Sequence, residues 1–231
     1  VNLVFDWAWL PRLSQGLVLT LELTALCMGL GAVFGALLGL VRVYSGGKFS
    51  PLYWLASGYV HFFRGTPLLV QLLTIYFGLP TVGIALSPFW AGLVAMTLNT
   101  AAYQAEYFRG AIQSVKAGQM MAARSLGMTR VQAIRHVILP QALRLVIPPW
   151  SNELIYMLKY SSIVSLTRLD AGTMDLFGAG RWIQSRTFRY FEVYIIVALF
   201  YLALVLILTL VLRWVEGRVR IPGLGTPRRS V

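Results

Sequence analysis

Glu22, His61, Arg64, Glu106, Arg109, Glu153 and Lys159 stand inside stretches that are otherwise apolar. An ionisable group in such surroundings is costly, and is kept where it pairs or acts on a solute. Glu106 and Arg109 are three apart, share a helix face and read as a structural pair. Arg64, just before Gly65-Thr66-Pro67, reads as a side chain that snorkels or pairs, and Glu22 as one that packs against a partner span. Glu153 and Lys159 are six apart, on different faces of one helix. Each therefore needs a partner elsewhere or a wet cavity, which makes them candidates for lining a path. Bond-making chemistry finds little support. No G-x-S-x-G elbow is present, and Ser161-Ser162 reads as a pair that bonds backbone or substrate. The Gly47-Lys48 pair is followed by Phe49 and lacks the upstream glycine of a phosphate-binding loop. Cys27 is the single cysteine, and with only His61 and His136 beside it no disulfide or His/Cys metal cluster is expected.

The elements that must hold these residues are membrane spans. The chain has 231 residues, of which 58% are hydrophobic and 12% charged. Soluble domains carry about 25% charged residues. A mean hydropathy of +0.70 excludes disorder, a fibre or an ordinary cytosolic enzyme. Apolar runs predict five spans at about 14–41, 51–79, 88–109, 139–166 and 191–213, in a single all-α transmembrane domain over 1–231. The second holds Pro67, and the fourth holds Pro148 and Pro149, which membrane helices tolerate. A secretory signal is not expected, because a basic n-region is lacking and the run after Ser14 is too long.

The net charge of +12 follows the same plan. The loops after spans one, three and five carry Arg42 and Lys48, then Lys116, Arg124, Arg130 and Arg135, then Arg213, Arg218, Arg220, Arg228 and Arg229. The opposite set carries Arg12, then Arg168, Arg181, Arg186 and Arg189. The basic excess puts the first set in the cytoplasm, so the N-terminus is outside and the C-terminus inside. The charge then needs no nucleic acid. The outer stretch from Arg168 to Tyr190, with Asp170 and Asp175, is a candidate partner surface.

Between spans three and four, residues 116–138 read as two short cytoplasmic helices. Gln119 to Leu126 are helix formers, and Gly127 is placed to close that helix in a left-handed conformation. Thr129 and Gln132 have capping-box spacing, and Val131, Ile134, Val137 and Ile138 recur at helical intervals. A membrane-surface helix pair would show the same pattern. A DNA-binding helix-turn-helix fits poorly, for the loop is tethered at both ends and lacks a third helix. The remaining reading is a stiff docking knob for a cytoplasmic partner.

At this loop the chain resembles a known family. Ala122, Ala123, Gly127, Leu139 and Pro140 match, in type and spacing, the EAA signature of ABC-transporter permease subunits. Val137 stands where isoleucine is usual, and Met121 where glutamate is usual. HFFRGTPLLVQLLTIYFGLP (His61–Pro80), AEYFRGAIQSVKAGQ (Ala105–Gln119) and NELIYMLKYSSIVSL (Asn152–Leu166) resemble the polar amino-acid branch, of the histidine/glutamine/arginine type. The likeness runs from about Gln15 to Arg218.

The resemblance implies a multi-pass permease subunit of a type I importer in the cell (inner or plasma) membrane. Two permease copies, or two related chains, would form the path. Separate ATPase subunits would carry ATP and Mg, since this chain has no cofactor, and an extracytoplasmic binding protein would deliver a polar amino acid. Met121, Ala122, Ala123, Arg124, Gly127, Leu139 and Pro140 would couple the permease to the ATPases. For the solute path, polar residues facing a midplane cavity are expected: Thr66, Gln71, Asn99, Thr100, Tyr103, Glu153, Lys159, Tyr160, Ser161 and Ser162. Hydroxyls and amides can hold a zwitterion without burying a further charge. Tyr160 stands where the family often has aspartate, which favours a neutral or acidic solute over a cationic one. His61 stands where an acid is frequent. Met121 leaves a heterodimer open beside a homodimer. The rivals are a gradient-driven transporter or channel, and a membrane scaffold. The first lacks an inverted repeat and gives the knob no task. The second does not need Glu153 and Lys159 in a proline-broken span.

Overall fold

The computed structural model describes residues 6–46, 49–167 and 174–219. Gly47 of the Gly-Lys pair, and Lys48, Arg168, Asp170, Arg220, Arg228 and Arg229 of the charge reading above, lie outside the described residues. The regular elements described are all helical. They are α1 (Leu10–Tyr44), α2 (Pro51–Gly65), α3 (Leu68–Leu73), α4 (Pro88–Ser114), α5 (Ala117–Ser125), α6 (Arg130–Ala133), α7 (Leu139–Tyr160), α8 (Leu176–Thr187) and α9 (Tyr190–Val219).

The centre of the fold is α4, which packs on α1, α2, α3 and α7. Its contact with α1 is close because both surfaces are small. Gly31, Gly35 and Gly39 of α1 lie along Ala101 and Ala105 of α4. A Cβ at Gly35 would stand 3.0 Å from the Ala101 carbonyl oxygen and from the Ala105 nitrogen. Small residues four apart let two backbones approach in this way where lipid supplies no hydrophobic drive between helices. At the other extreme, α9 is barely covered: Leu199, Leu202, Leu206, Ile207 and Leu210 all face outward. Such outward apolar faces suit a lipid surrounding.

By length and apolarity Trp7–Tyr44 and Tyr190–Val219 can each cross a membrane, and a bent pair, Pro51–Gly65 with Leu68–Val82, can make a third crossing. The 27 residues of α4 and the 22 of α7 fall outside that group. Their polar residues, Asn99, Gln104 and Glu106 in α4 and Arg144 and Glu153 in α7, lower their apolarity. The chain is thus an all-α, multi-helix membrane protein.

Two expected elements differ in detail. The second apolar run is not one rod but turns by 103°. Thr66 is extended (φ −116°, ψ 144°), as the residue before a proline is pushed to be, and Pro67 restarts the chain as α3. The second loop helix is a single turn, α6, which runs through a wide π turn at Ile134–Ile138 straight into α7. Pro140 follows the π turn directly, and the helix passes through it without a break.

Candidate functional site

The bend at Thr66–Pro67 frees carbonyls that α2 would otherwise bond internally. Two amides bind them. Gln71 Nε2 donates to the Phe63 carbonyl (3.0 Å), the Thr66 carbonyl (3.1 Å) and Thr66 Oγ1 (2.7 Å). Asn99 Nδ2, from α4, donates to the same Phe63 carbonyl (3.0 Å) and to Gln71 Oε1 (3.1 Å). Irregular backbone survives at membrane depth only when its polar groups are satisfied in this way or line a cavity.

Here it also lines a cavity, of about 630 Å³, between the bend, α4 and the C-terminal half of α7. That lies within the roughly 300–1,000 Å³ of small-molecule sites. Thr66, Asn99, Tyr103, Glu153 and Tyr160, expected on a path, are in its wall. Thr100 stands behind it, donating to Glu153 Oε1 at 3.1 Å. Gln71 is occupied at the bend. Lys159 is exposed, with its ammonium 4.8 Å from the Tyr156 ring centre, and is not in the wall. Ser161 and Ser162 bond back to the carbonyls of Leu158 (2.9 Å) and Lys159 (2.8 Å), tightening the 3-10 turn after α7.

Sequence reasoning missed Tyr107, Tyr156 and Arg64 as wall residues. The signal was present: Tyr103 and Tyr107, like Tyr156 and Tyr160, are four apart and share a helix face. Tyr107 donates to Glu153 Oε2 at 2.9 Å. Glu153 is 4% exposed, and its described hydrogen-bond partners, Thr100 and Tyr107, are neutral.

Beside the cavity, Glu106 gathers three arginines. Arg42 of α1 bonds Oε1, and Arg109 grips Oε2 through Nε (2.9 Å) and a terminal nitrogen (2.6 Å). Arg64 lies 3.8 Å from Oε1. The expected Glu106–Arg109 pair is there. Arg42, placed by sequence among the loop charges, instead turns inward and also bonds Ser57 Oγ at 3.2 Å.

The loop forms a second, separate feature. Gly127 has φ +82°. Its N–H reaches the Arg124 carbonyl (3.1 Å), and the Met128 N–H reaches that of Ala123 (3.2 Å), the paired bonds of a Schellman closure. Thr129 and Gln132 then form the capping box, with bonds of 2.8 and 3.2 Å. Met121, Ala122, Arg124 and Val131 are exposed, and Leu126 is 81% so. Ala123 differs: it is buried, on a helix that packs against the Ile134–Ile138 turn. Val131 is outside the apolar face expected of it, and Ala133 and Ile138 take the buried positions. Leu139 and Pro140 belong to α7 rather than to the exposed tip.

A helical membrane chain with a small-molecule cavity at a broken helix and a stiff polar-side knob belongs to the class of transporter permeases. Residues 31–221 match the family described as "Binding-protein-dependent transport system inner membrane component". The chain is 42% identical over 218 residues to the probable glutamine ABC transporter permease protein GlnM of Bacillus subtilis (strain 168), covering 94% of this chain and 97% of that one. It is 37% identical over 212 residues to the arginine transport system permease protein ArtQ of the same organism, covering 91% and 94%. A crystal structure of an amino acid ABC transporter with histidines superposes with a TM-score of 0.83 at 42% identity, covering 93% of this chain and 99% of that one. The chain therefore belongs to the ABC permease subunits of the polar amino-acid type, in the type I importer family. It is a multi-pass protein of the inner or plasma membrane, and ATP hydrolysis resides on other subunits of the system.

Proposed function

We propose that residues 1–231 form one permease domain of five spans, with the N-terminus outside and the C-terminus inside. It passes a polar amino acid to the cytoplasm through the cavity at the broken helix. Two such chains, copies of this one or this one beside a paralogue, make the path, and an extracytoplasmic binding protein feeds it. ATPase subunits grip the loop at Met121, Ala122, Arg124 and Gly127, with Ala123, Leu139 and Pro140 supporting it from behind. ATP binding moves the spans only to the extent that it favours one state over the other.

The observation that carries the solute reading is Glu153. It is a buried carboxylate in a cavity wall, hydrogen-bonded by two neutral donors and acted on through space by the Arg64 charge, with no cation among its described hydrogen-bond partners. A solute ammonium supplies the charged direct partner that Glu153 lacks. Among the described residues the wall holds no second carboxylate, which favours a solute with a neutral side chain. The glutamine-named relative, at 42% identity, supports the same choice over the arginine-named one. The test is uptake into proteoliposomes holding the permease, its ATPase and its binding protein, with each of the twenty amino acids offered labelled. ATP-dependent uptake of glutamine or another neutral polar amino acid is expected. Uptake only of cationic amino acids, or uptake driven by an ion gradient without ATP, defeats the reading. The permeases that co-purify in mild detergent decide between one chain type and two.

A further inference from the structure

The three arginines around Glu106 are not equivalent. Arg42 is 7% exposed at its side chain and bonds both Glu106 and Ser57. Arg109, 32% exposed, holds Glu106 with two bonds and Gln113 with a third, at 2.6 Å. Between them they occupy both carboxylate oxygens. Arg64 is 42% exposed, stands 3.8 Å from Oε1, and makes no hydrogen bond among the described residues. It is nonetheless the one of the three in the cavity wall. Its guanidinium lies 5.2 Å from the ring centre of Tyr103, another wall residue. The last turn of α2, ending at the bend, holds it there.

The local charge count is three guanidiniums to one carboxylate. A planar guanidinium with free donors, facing a partly open cavity, is suited to bidentate recognition of a carboxylate. Across the same wall stands Glu153, which feels the Arg64 charge but is hydrogen-bonded only by neutral groups. The cavity wall therefore carries one charge of each sign, from α2 and from α7, and neither has a charged hydrogen-bond partner among the described residues.

We propose that Arg64 is the residue that recognises the α-carboxylate of the solute, and that Glu106 is its resting partner when the cavity is empty. The inference rests on reading the cavity as the solute site. Glu106 is already neutralised by Arg42 and Arg109, so Arg64 leaves it at little cost. Tyr103, which carries the guanidinium on its face, keeps it directed at the cavity in either position.

The test uses the intact permease–ATPase complex in nanodiscs, without binding protein. The probes are an equimolar mixture of the twenty L-amino acids and the matching mixture of their α-amides, with retained solutes identified by mass spectrometry. Wild type is expected to retain an amino acid and to bind its α-amide about a hundredfold more weakly, the loss expected when hydrogen bonds between charged groups are removed. Arg64→Gln is expected to weaken the acid by a similar factor and to leave the amide unchanged, so that discrimination disappears. Arg64→Lys keeps the charge but not the planar fork, and is expected to retain discrimination of about tenfold. It also serves if the Gln variant fails to assemble with the ATPase. Equal weakening of acid and amide, or discrimination that survives in Arg64→Gln, overturns the proposal and leaves the solute site standing. A wild-type complex that retains no amino acid overturns both.

Discussion

The cavity and the loop are built on opposite plans. The loop is stiffened by bonds no more than five residues long: Met128 to Ala123, Gly127 to Arg124, and Thr129 with Gln132. The cavity is held by bonds that cross the chain, with Asn99 reaching back to Phe63 and Gln71, and Thr100 and Tyr107 reaching forward to Glu153. The loop keeps its shape while exposing almost everything, whereas the cavity exists only where α2, α3, α4 and α7 agree. A part that must dock as a unit is served by local closure. A part that must open and shut is served by contacts between elements, because those contacts can differ between two states.

The hardest way to break the contrast is to remove charge from the cavity. Glu153→Gln keeps the shape and one acceptor but loses the anion. A buried, hydrogen-bonded charge lost from a binding pair costs about 2–5 kcal/mol. Uptake by the reconstituted complex is therefore expected to fall by about a hundredfold or more, with assembly and ATPase docking unchanged. Preserved uptake in E153Q would mean that the cavity is merely a gap beside a kink.

Next in size is the bend itself. Gln71→Ala removes every side-chain donor from the Thr66 carbonyl and one of two from that of Phe63. A buried acceptor left unsatisfied costs about 1–3 kcal/mol. The thermal midpoint of the detergent-solubilised complex is expected to drop, and solute binding to weaken with it. Asn99→Ala is expected to do less, since Gln71 still covers both carbonyls. If the two variants fall in the opposite order, α4 and not α3 holds the bend.

Ala122 and Ala123 sharpen the comparison from the loop side. They are adjacent, but Ala122 is exposed and Ala123 is buried. Ala122→Trp is expected to weaken ATPase capture in a pull-down while the permease keeps its melting temperature. Ala123→Leu overpacks the inside of the knob, at about 1–3 kcal/mol. It is expected to lower stability first, and capture only as a consequence.

The same division explains what was legible from the residues. Gly127, Thr129 and Gln132 obey rules that operate within a turn or two, and the loop could be drawn from them. The Glu106–Arg109 pair, three apart, was legible for the same reason. Arg42 was not: its partner lies 64 residues away, and its place at the end of an apolar run marked it as a loop charge. Thr66, Asn99, Tyr103, Glu153 and Tyr160 were found by being polar in apolar runs, and they line the wall. Gln71 and Thr100 carry the same mark and serve behind the wall, because polarity tells that a side chain needs a partner and not which one. Pro67 announced a disturbance of the second span, but a turn of 103° depends on amides from α3 and α4 meeting the carbonyls it frees.

The smallest expected effect is the most diagnostic for the loop. A Cβ added at Gly127 meets nothing within 4 Å, so Gly127→Ala carries no clash. What remains is the left-handed backbone, φ +82°, which costs an L-residue about 1–2 kcal/mol. Asparagine tolerates that region better than alanine, so Gly127→Asn is expected to recover part of the loss. The cost falls on a closure whose hydrogen bonds all lie within the loop. Solute binding to the permease–ATPase complex should therefore be unchanged, while ATP hydrolysed per solute imported rises. A variant that altered solute binding and left that ratio alone would join the two regions that the hydrogen bonds keep apart.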